Sequence, residues 1–230
     1  MSRKSLSFAD AKLCYEELYP GSPFFETWIP EEKFDSAILT EESSLTLIRR
    51  DGDDYYGVLL GENPEWPSTM QKASVESRAA DQFRTADSDT GEWDCYFAPT
   101  PTIGEMPDRR STDQEIEDFL KEHAPESSVF PGDNEIQRWV EIYSEDELIA
   151  VAALCRWESG RIVLSSVATH SQKRGQGIGK ILMNQSLQAA RALGAEKLSL
   201  GVRHSNESAI SLYKSTGFTL MHNFTYFERR

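Results

Sequence analysis

An α/β fold is predicted by three features of this 230-residue chain. Residues 161–169, Arg-Ile-Val-Leu-Ser-Ser-Val-Ala-Thr, are apolar and β-branched and read as a buried strand. They run into a glycine turn, Arg174-Gly175-Gln176-Gly177-Ile178-Gly179, and then into a helix whose stripe Ile178, Leu182, Ala189 and Leu193 stops at Gly194. Ahead of them two more strand-like segments, 137–143 and 148–157, flank the turn Glu145-Asp146 and suggest a hairpin. The expected sheet is mixed and mostly antiparallel, with helices on its faces.

In chain order, residues 44–50 and 55–60 read as two strands around the turn Asp51-Gly52-Asp53-Asp54. A helix is expected from Ser68 to about Thr85, then a strand over residues 93–97. Residues 99–107, Pro-Thr-Pro-Thr-Ile-Gly-Glu-Met-Pro, are rich in proline and read as a linker, which puts a domain boundary after residue 107. Residues 1–107 would form a smaller α/β accessory domain and residues 108–230 the main one. A helix begins at Ser111 with Thr112 and Glu115 spaced as a capping box, and runs to about His123. Pro125 and Pro131-Gly132-Asp133 break the chain before the three strands. After the glycine turn and its helix come a strand over 197–202, a helix starting at Asn206, and a last strand over 223–228.

Composition narrows the class. Hydrophobic residues make up 39% of the chain, enough for a packed core, and no apolar run is long enough to span a membrane. Met1-Ser2-Arg3-Lys4-Ser5-Leu6 has basic residues without an apolar region after them, unlike a secretory signal. Cys14, Cys95 and Cys155 are few, odd in number and far apart, which fits small thiols in a reducing cytosol. His123, His170, His204 and His222 show no metal-ligand spacing, so no metal is expected. A net charge of −14 argues against nucleic acid as a partner. Residues 1–110 carry 22 acidic against 11 basic side chains and residues 111–230 carry 16 against 13. The acidic excess reads first as a solvated surface, and second as an attraction for a cationic amine.

The glycine turn is an anion site in form. Glycine lets the backbone approach a ligand, and the free N–H groups of the helix start point at it. It is no P-loop: the glycine required five residues before Gly179-Lys180 is Arg174, and Ile181 stands where a Ser or Thr would meet Mg²⁺. Gly175, Gly177 and Gly179 are also not spaced as the dinucleotide G-x-G-x-x-G.

The spacing R-x-x-G-x-G resembles the pyrophosphate loop of the GCN5-related N-acetyltransferases, the GNAT superfamily. The resemblance continues downstream: Asn206-Glu207-Ser208-Ala209-Ile210-Ser211-Leu212-Tyr213, then Gly217-Phe218, is similar to that family's N-x-x-A-x-x-L-Y-x-x-x-G-F. It covers residues 108–230. It implies a GNAT fold, acetyl-CoA as co-substrate, and a cofactor surface of Val167, Ala168, Thr169, Arg174, Gly175, Gln176, Gly177, Ile178, Gly179, Lys180 and Asn206. By the same resemblance the edge of residues 167–169 receives the pantetheine amides as a pseudo-strand and polarises the thioester carbonyl. Tyr213, which alone would read as core packing beside Leu212, becomes the general acid for the departing thiolate. Asn206 is an N-cap by position, and the family adds a hydrogen bond to the pantetheine arm.

One departure bears on the substrate. The glutamate that some members carry five residues before the asparagine is Gly201 here, which weakens a protein N-terminal acetylation reading. The general base is open, with Glu141 and Glu158 as candidates, and Cys155 is left as a conceivable nucleophile. The N-terminal half has no second glycine loop; it is either a degenerate GNAT-like repeat or an unrelated domain, an arrangement similar to FR47-like and glycine N-acyltransferase-like members. The leading function is direct acetyl transfer to the primary amine of a small molecule, in the cytoplasm, by a monomer or homodimer. The alternative is an acyl-CoA-binding sensor without turnover.

Overall fold

The structure, a computed structural model, describes residues 3–40, 43–85 and 89–229. Met1 and Ser2 of the N-terminal reading lie outside these. The elements are β1 (Arg3–Leu6), α1 (Phe8–Leu18), α2 (Phe24–Trp28), β2 (Phe34–Thr40), β3 (Leu45–Asp51), β4 (Asp54–Leu60), β5 (Lys72–Glu76) and β6 (Asp89–Pro99). Then follow α3 (Asp113–His123), β7 (Ile136–Ser144), β8 (Glu147–Arg156), β9 (Ile162–Thr169), α4 (Ile178–Ala192), β10 (Lys197–Arg203), α5 (Glu207–Ser215) and β11 (Thr219–Glu228). The class is α/β, as the sequence predicts.

The chain forms two compact units, each of discontinuous pieces: residues 1–95, 202–206 and 220–230 in the first, residues 96–201 and 207–219 in the second. The second unit therefore begins ahead of residue 107, and the last strand of the chain lies mainly in the first.

In the second unit the strand order is β6-β10-β9-β8-β7. The hairpin at Glu145-Asp146 is present: β7 pairs antiparallel with β8, β8 antiparallel with β9, and β9 parallel with β10. A parallel neighbour needs a crossover, and α4 supplies it. Helix α3 starts as predicted. The Thr112 hydroxyl accepts from the Glu115 amide at 3.3 Å, and the Glu115 carboxylate accepts from the Thr112 amide at 2.7 Å. Its buried face, Ile116, Phe119 and Leu120, packs with Trp139, Val151, Ala153, Cys155 and Ala168 of three strands.

The proline-rich segment 99–107 is pinned rather than free. The Thr100 amide donates to Glu196 O at 2.9 Å and its hydroxyl to Ala195 O at 2.7 Å. Gly104 lies so close to the end of α4 that a Cβ there would sit 2.4 Å from Ala192 N. Proline content signals an irregular path, and such a path can still be packed.

In the first unit the order is β1-β2-β3-β4-β5-β11-β6. Strands β2, β3 and β4 form an antiparallel meander and β4 pairs parallel with β5, the sequence of pairings that β7 to β10 show. The crossover between β4 and β5 contains no α-helix and no glycine loop. The helix expected from Ser68 to about Thr85 is instead β5 followed by a 3₁₀ turn over Ser77–Gln82. β5 is a central strand between β4 and β11, with Ala73 and Val75 fully buried. Tertiary pairing overrides local helix propensity there.

Where β4 and β5 end, the Gly61 amide donates to the Glu76 carboxylate at 2.8 Å. That carboxylate also meets His222 Nδ1 at 2.7 Å and takes hydrogen bonds from Tyr19 and Arg78. Burial pushes the Glu76 acid up, but the hydrogen bonds from His222 and Gly61 outweigh it and hold it below the usual carboxylate range. His222 Nε2 lies 2.7 Å from the Tyr15 hydroxyl. An internal anion fills this strand end.

Candidate acyl-transfer site

The corresponding strand end in the second unit is open. β9 pairs with β10 only through Val163–Ser199 and Leu164–Leu200, so from Ser165 onward it has no partner on that side. On the other side the register with β8 skips: Ala153 faces Ser165 and Val151 faces Ala168, so Ser166 and Val167 together stand opposite Ala152. This is a β-bulge, which unpairs and re-aims a peptide. Ser166 holds φ +48°, a left-handed conformation that costs a serine about 1–2 kcal/mol. Ala168 points into the core beneath α3, while Val167 and Thr169 are only half-buried. Residues 167–169 thus offer a free strand edge, where an extended amide-bearing arm can pair.

Beyond Thr169, residues Ser171–Lys173 form a 3₁₀ turn capped by His170, whose Nδ1 accepts from the Gln172 amide at 3.3 Å. Gly175 and Gly177 then take φ +78° and +82°, which only glycine adopts without strain. The amides of Gly175, Gln176, Gly177, Ile178 and Gly179 donate to no group among the described residues. Gly177 caps α4 without a side-chain bond, and Lys180 N bonds back to its carbonyl at 3.0 Å. Unused donors at a helix start favour an anion. Gly179 has another reason to be glycine. Its Cβ would stand 3.0 Å from Leu212, so it lets α5 pack closely on α4.

The cations beside this loop are already engaged. The Arg174 guanidinium donates through Nε to Thr169 O at 3.3 Å and through a terminal nitrogen to His123 O at 2.7 Å. It straps the loop to the ends of β9 and α3. Lys173 pairs with Glu147. Under the strap, His123 and His170 lie with ring centroids 4.2 Å apart. Burial first, then His170 and Arg174, hold the His123 imidazole below its ordinary pKa.

Tyr213 sits on α5 with 6% of its surface exposed, its ring 6.4 Å from Tyr96 and 6.0 Å from Phe218. Its hydroxyl has no partner among the described residues, and burial pushes the phenol up to about 12. It stays protonated at neutral pH, the state a proton donor needs. Val167–Thr169, Arg174–Lys180 and Tyr213 all belong to the second unit. Asn206, directly ahead of α5, belongs to the segment 202–206 of the first unit.

The other sequence candidates have structural duties. Glu141 is buried on β7, and its Oε2 accepts from the Arg110 and Ser111 amides at 3.1 and 2.9 Å and from the Tyr143 hydroxyl at 3.0 Å. It anchors the entry to α3. Glu158 is exposed on the β8–β9 turn. Cys155 is fully buried and its thiol is pushed up to about 11, so at neutral pH it holds no thiolate with which to attack. Among the described residues no group of three His, Cys, Asp or Glu side chains could hold a metal ion, and no helix is long and apolar enough to cross a membrane. Sequence reasoning missed Ser166, since a bulge leaves no local signature in a β-branched run.

Residues 91–218 match the acetyltransferase (GNAT) family. Over 109 residues the chain is 25% identical to the uncharacterized N-acetyltransferase YvbK of Bacillus subtilis (strain 168), covering 47% of this chain and 70% of that one. Among solved structures it is similar to a GCN5-related N-acetyltransferase from Sphaerobacter thermophilus, with TM-score 0.55 and 13% identity over 99% of this chain and 95% of that one. A putative acetyltransferase from the GNAT family from Novosphingobium aromaticivorans DSM 12444 gives TM-score 0.51 and 18% identity, over 95% and 78%.

Proposed function

We propose, from the premise that this chain belongs to the acetyltransferase (GNAT) family, that it transfers an acetyl group from acetyl-CoA directly to a primary amine of a small molecule. The observation that carries the reading is the pairing of an open strand edge at Val167–Thr169 with five unused amides at Gly175–Gly179. A thioester co-substrate with a diphosphate and two amides matches both surfaces. Its bound form supplies the activated acyl group, and the chain's residues do the rest.

The loop amides bind the diphosphate, with Arg174 holding the loop in shape rather than meeting the anion first. Val167, Ala168 and Thr169 pair with the pantetheine arm, and an amide in that edge polarises the carbonyl. Tyr213 gives its phenolic proton to the departing thiolate as the carbon–sulfur bond breaks and the carbon–nitrogen bond forms. The amine attacks in its neutral form, the proton its nitrogen sheds passes to solvent, and solvent reprotonates the phenolate. Burial keeps the phenol protonated and also makes it a weaker acid than the thiol it would form, with a reference pKa of about 8.5, so donation to the thiolate rests on close placement. With Glu141 committed to the fold and Cys155 protonated, a direct transfer without an acyl-enzyme is favoured. The acidic surface suits a cationic amine.

The chain would hold one cofactor, since the matching strand end of the first unit is filled by Glu76. We read that unit as a degenerate copy of the same fold. Calorimetric titration with acetyl-CoA tests this: saturable binding at one per chain is expected. Absence of binding by folded protein would remove the reading, and two sites per chain would remove the degenerate-copy part of it. Turnover with an amine panel then separates the enzyme from a cofactor sensor.

A further inference from the structure

The bulge in β9 is held by a residue that no motif includes. Ser166 is 8% exposed and its hydroxyl makes two hydrogen bonds, both to Val129. It accepts from the Val129 amide at 3.1 Å and donates to the Val129 carbonyl at 2.8 Å. Val129 lies in the irregular segment between α3 and β7, 37 residues away in sequence. A serine takes a left-handed conformation only where its surroundings compel it. Here one hydroxyl pairs both backbone polar groups of the buried residue Val129, so the clamp cannot slip by a residue without leaving them unpaired. The next residue, Val167, has no partner in either neighbouring strand.

We propose that Ser166 is a positioning residue: its clamp on Val129 holds the β9 bulge, and the bulge aims the Val167 peptide at the thioester carbonyl of the bound acyl donor. The inference rests on the reading that the β9 edge receives acetyl-CoA. It adds that the loop after α3 sets the angle of that edge. Ser166 touches no substrate itself.

The test is the carbonyl stretching band of acetyl-CoA labelled with ¹³C at the thioester carbon, recorded by difference infrared spectroscopy on the full chain. Ser166→Gly permits the same backbone conformation without the hydroxyl. Its bound carbonyl band should move to higher frequency than in the natural protein, because the donor is no longer aimed, while acetyl-CoA affinity by calorimetry stays within a few-fold. Ser166→Cys keeps the volume and weakens both bonds, so its band should fall between the two; it decides the matter if the glycine variant does not fold. A band at the natural position in a folded variant overturns the inference, even if the melting temperature has dropped, since Ser166 would then serve stability alone. Loss of binding in both variants also overturns it, by moving the role of Ser166 to affinity. Failure of the natural protein to bind acetyl-CoA overturns the reading of the loop instead.

Discussion

Arg174 shows how a charge can be read correctly by type and differently by partner. The R-x-x-G-x-G spacing marks it as a cation beside a phosphate loop, but its fork is taken up by the carbonyls of Thr169 and His123. Arg174→Lys keeps the charge and loses the two-pronged geometry. If the strap matters, acetyl-CoA affinity should fall about tenfold, from the loss of roughly 1.4 kcal/mol of charged hydrogen bonding. Undiminished affinity of the lysine variant by calorimetry would assign Arg174 to the anion instead. Tyr213 was singled out by its place in the motif, and the structure buries it on α5 with its phenol protonated at neutral pH. Tyr213→Phe should lower turnover about 10²-fold or more, the scale of general-acid catalysis. Acetyl-CoA affinity should be unchanged, because no loop amide is disturbed. Steady-state rates and a binding isotherm for the same variant check both halves.

At the scale of elements, packing decides what composition leaves open. Segment 99–107 and helix α4 meet at Gly104, with backbone on the far side of the missing Cβ. Gly104→Ala should destabilise by about 1–3 kcal/mol, as overpacking does, whereas Gly91→Ala, with nothing within 4 Å of its Cβ, should leave the melting temperature unchanged. Equal melting of the two variants would show that the segment is a loose linker after all. The end of α3 carries a pH signature. His123 is 4% exposed at its side chain and holds its proton less tightly folded than unfolded. Below the ordinary histidine value of about 6.5 the unfolded chain takes up that proton first, so stability falls as pH is lowered through this window, by at most about 1.4 kcal/mol per pH unit. Denaturant melts at stepped pH should show the slope, and His123→Asn should flatten it. Capping box, hairpin and glycine turn were legible because each is a pattern within a few residues. Strand β5 was not, because its partner β11 lies some 150 residues downstream.

For the whole molecule, the consequence lies in how the chain is shared out. The first unit draws on residues 202–206 and 220–230, beyond the proline-rich segment 99–107, and the second begins at residue 96, ahead of that segment. A chain cut after residue 107 would give a C-terminal fragment without the Tyr96–Pro99 part of β6, and an N-terminal fragment without the strand that pairs with β5. Neither fragment should fold alone, and co-expression of the two should restore acetyl-CoA binding. A cooperative melt from the isolated 108–230 fragment would show that the sequence boundary is also a folding boundary.

The sequence by itself determined the α/β class, the place and form of the glycine loop, the helix that carries Tyr213, and the family. These are local patterns, set by backbone conformation and short-range periodicity. Only the tertiary structure decided that Arg174 and Lys173 are already engaged, that Glu141 anchors a helix entry, that Ser166 holds a bulge, and that the first unit takes residues 202–206 and 220–230 from the far part of the chain. Each of those depends on which distant residue comes within hydrogen-bonding or pairing distance, and that is settled by packing of the whole chain, not by the residues on either side.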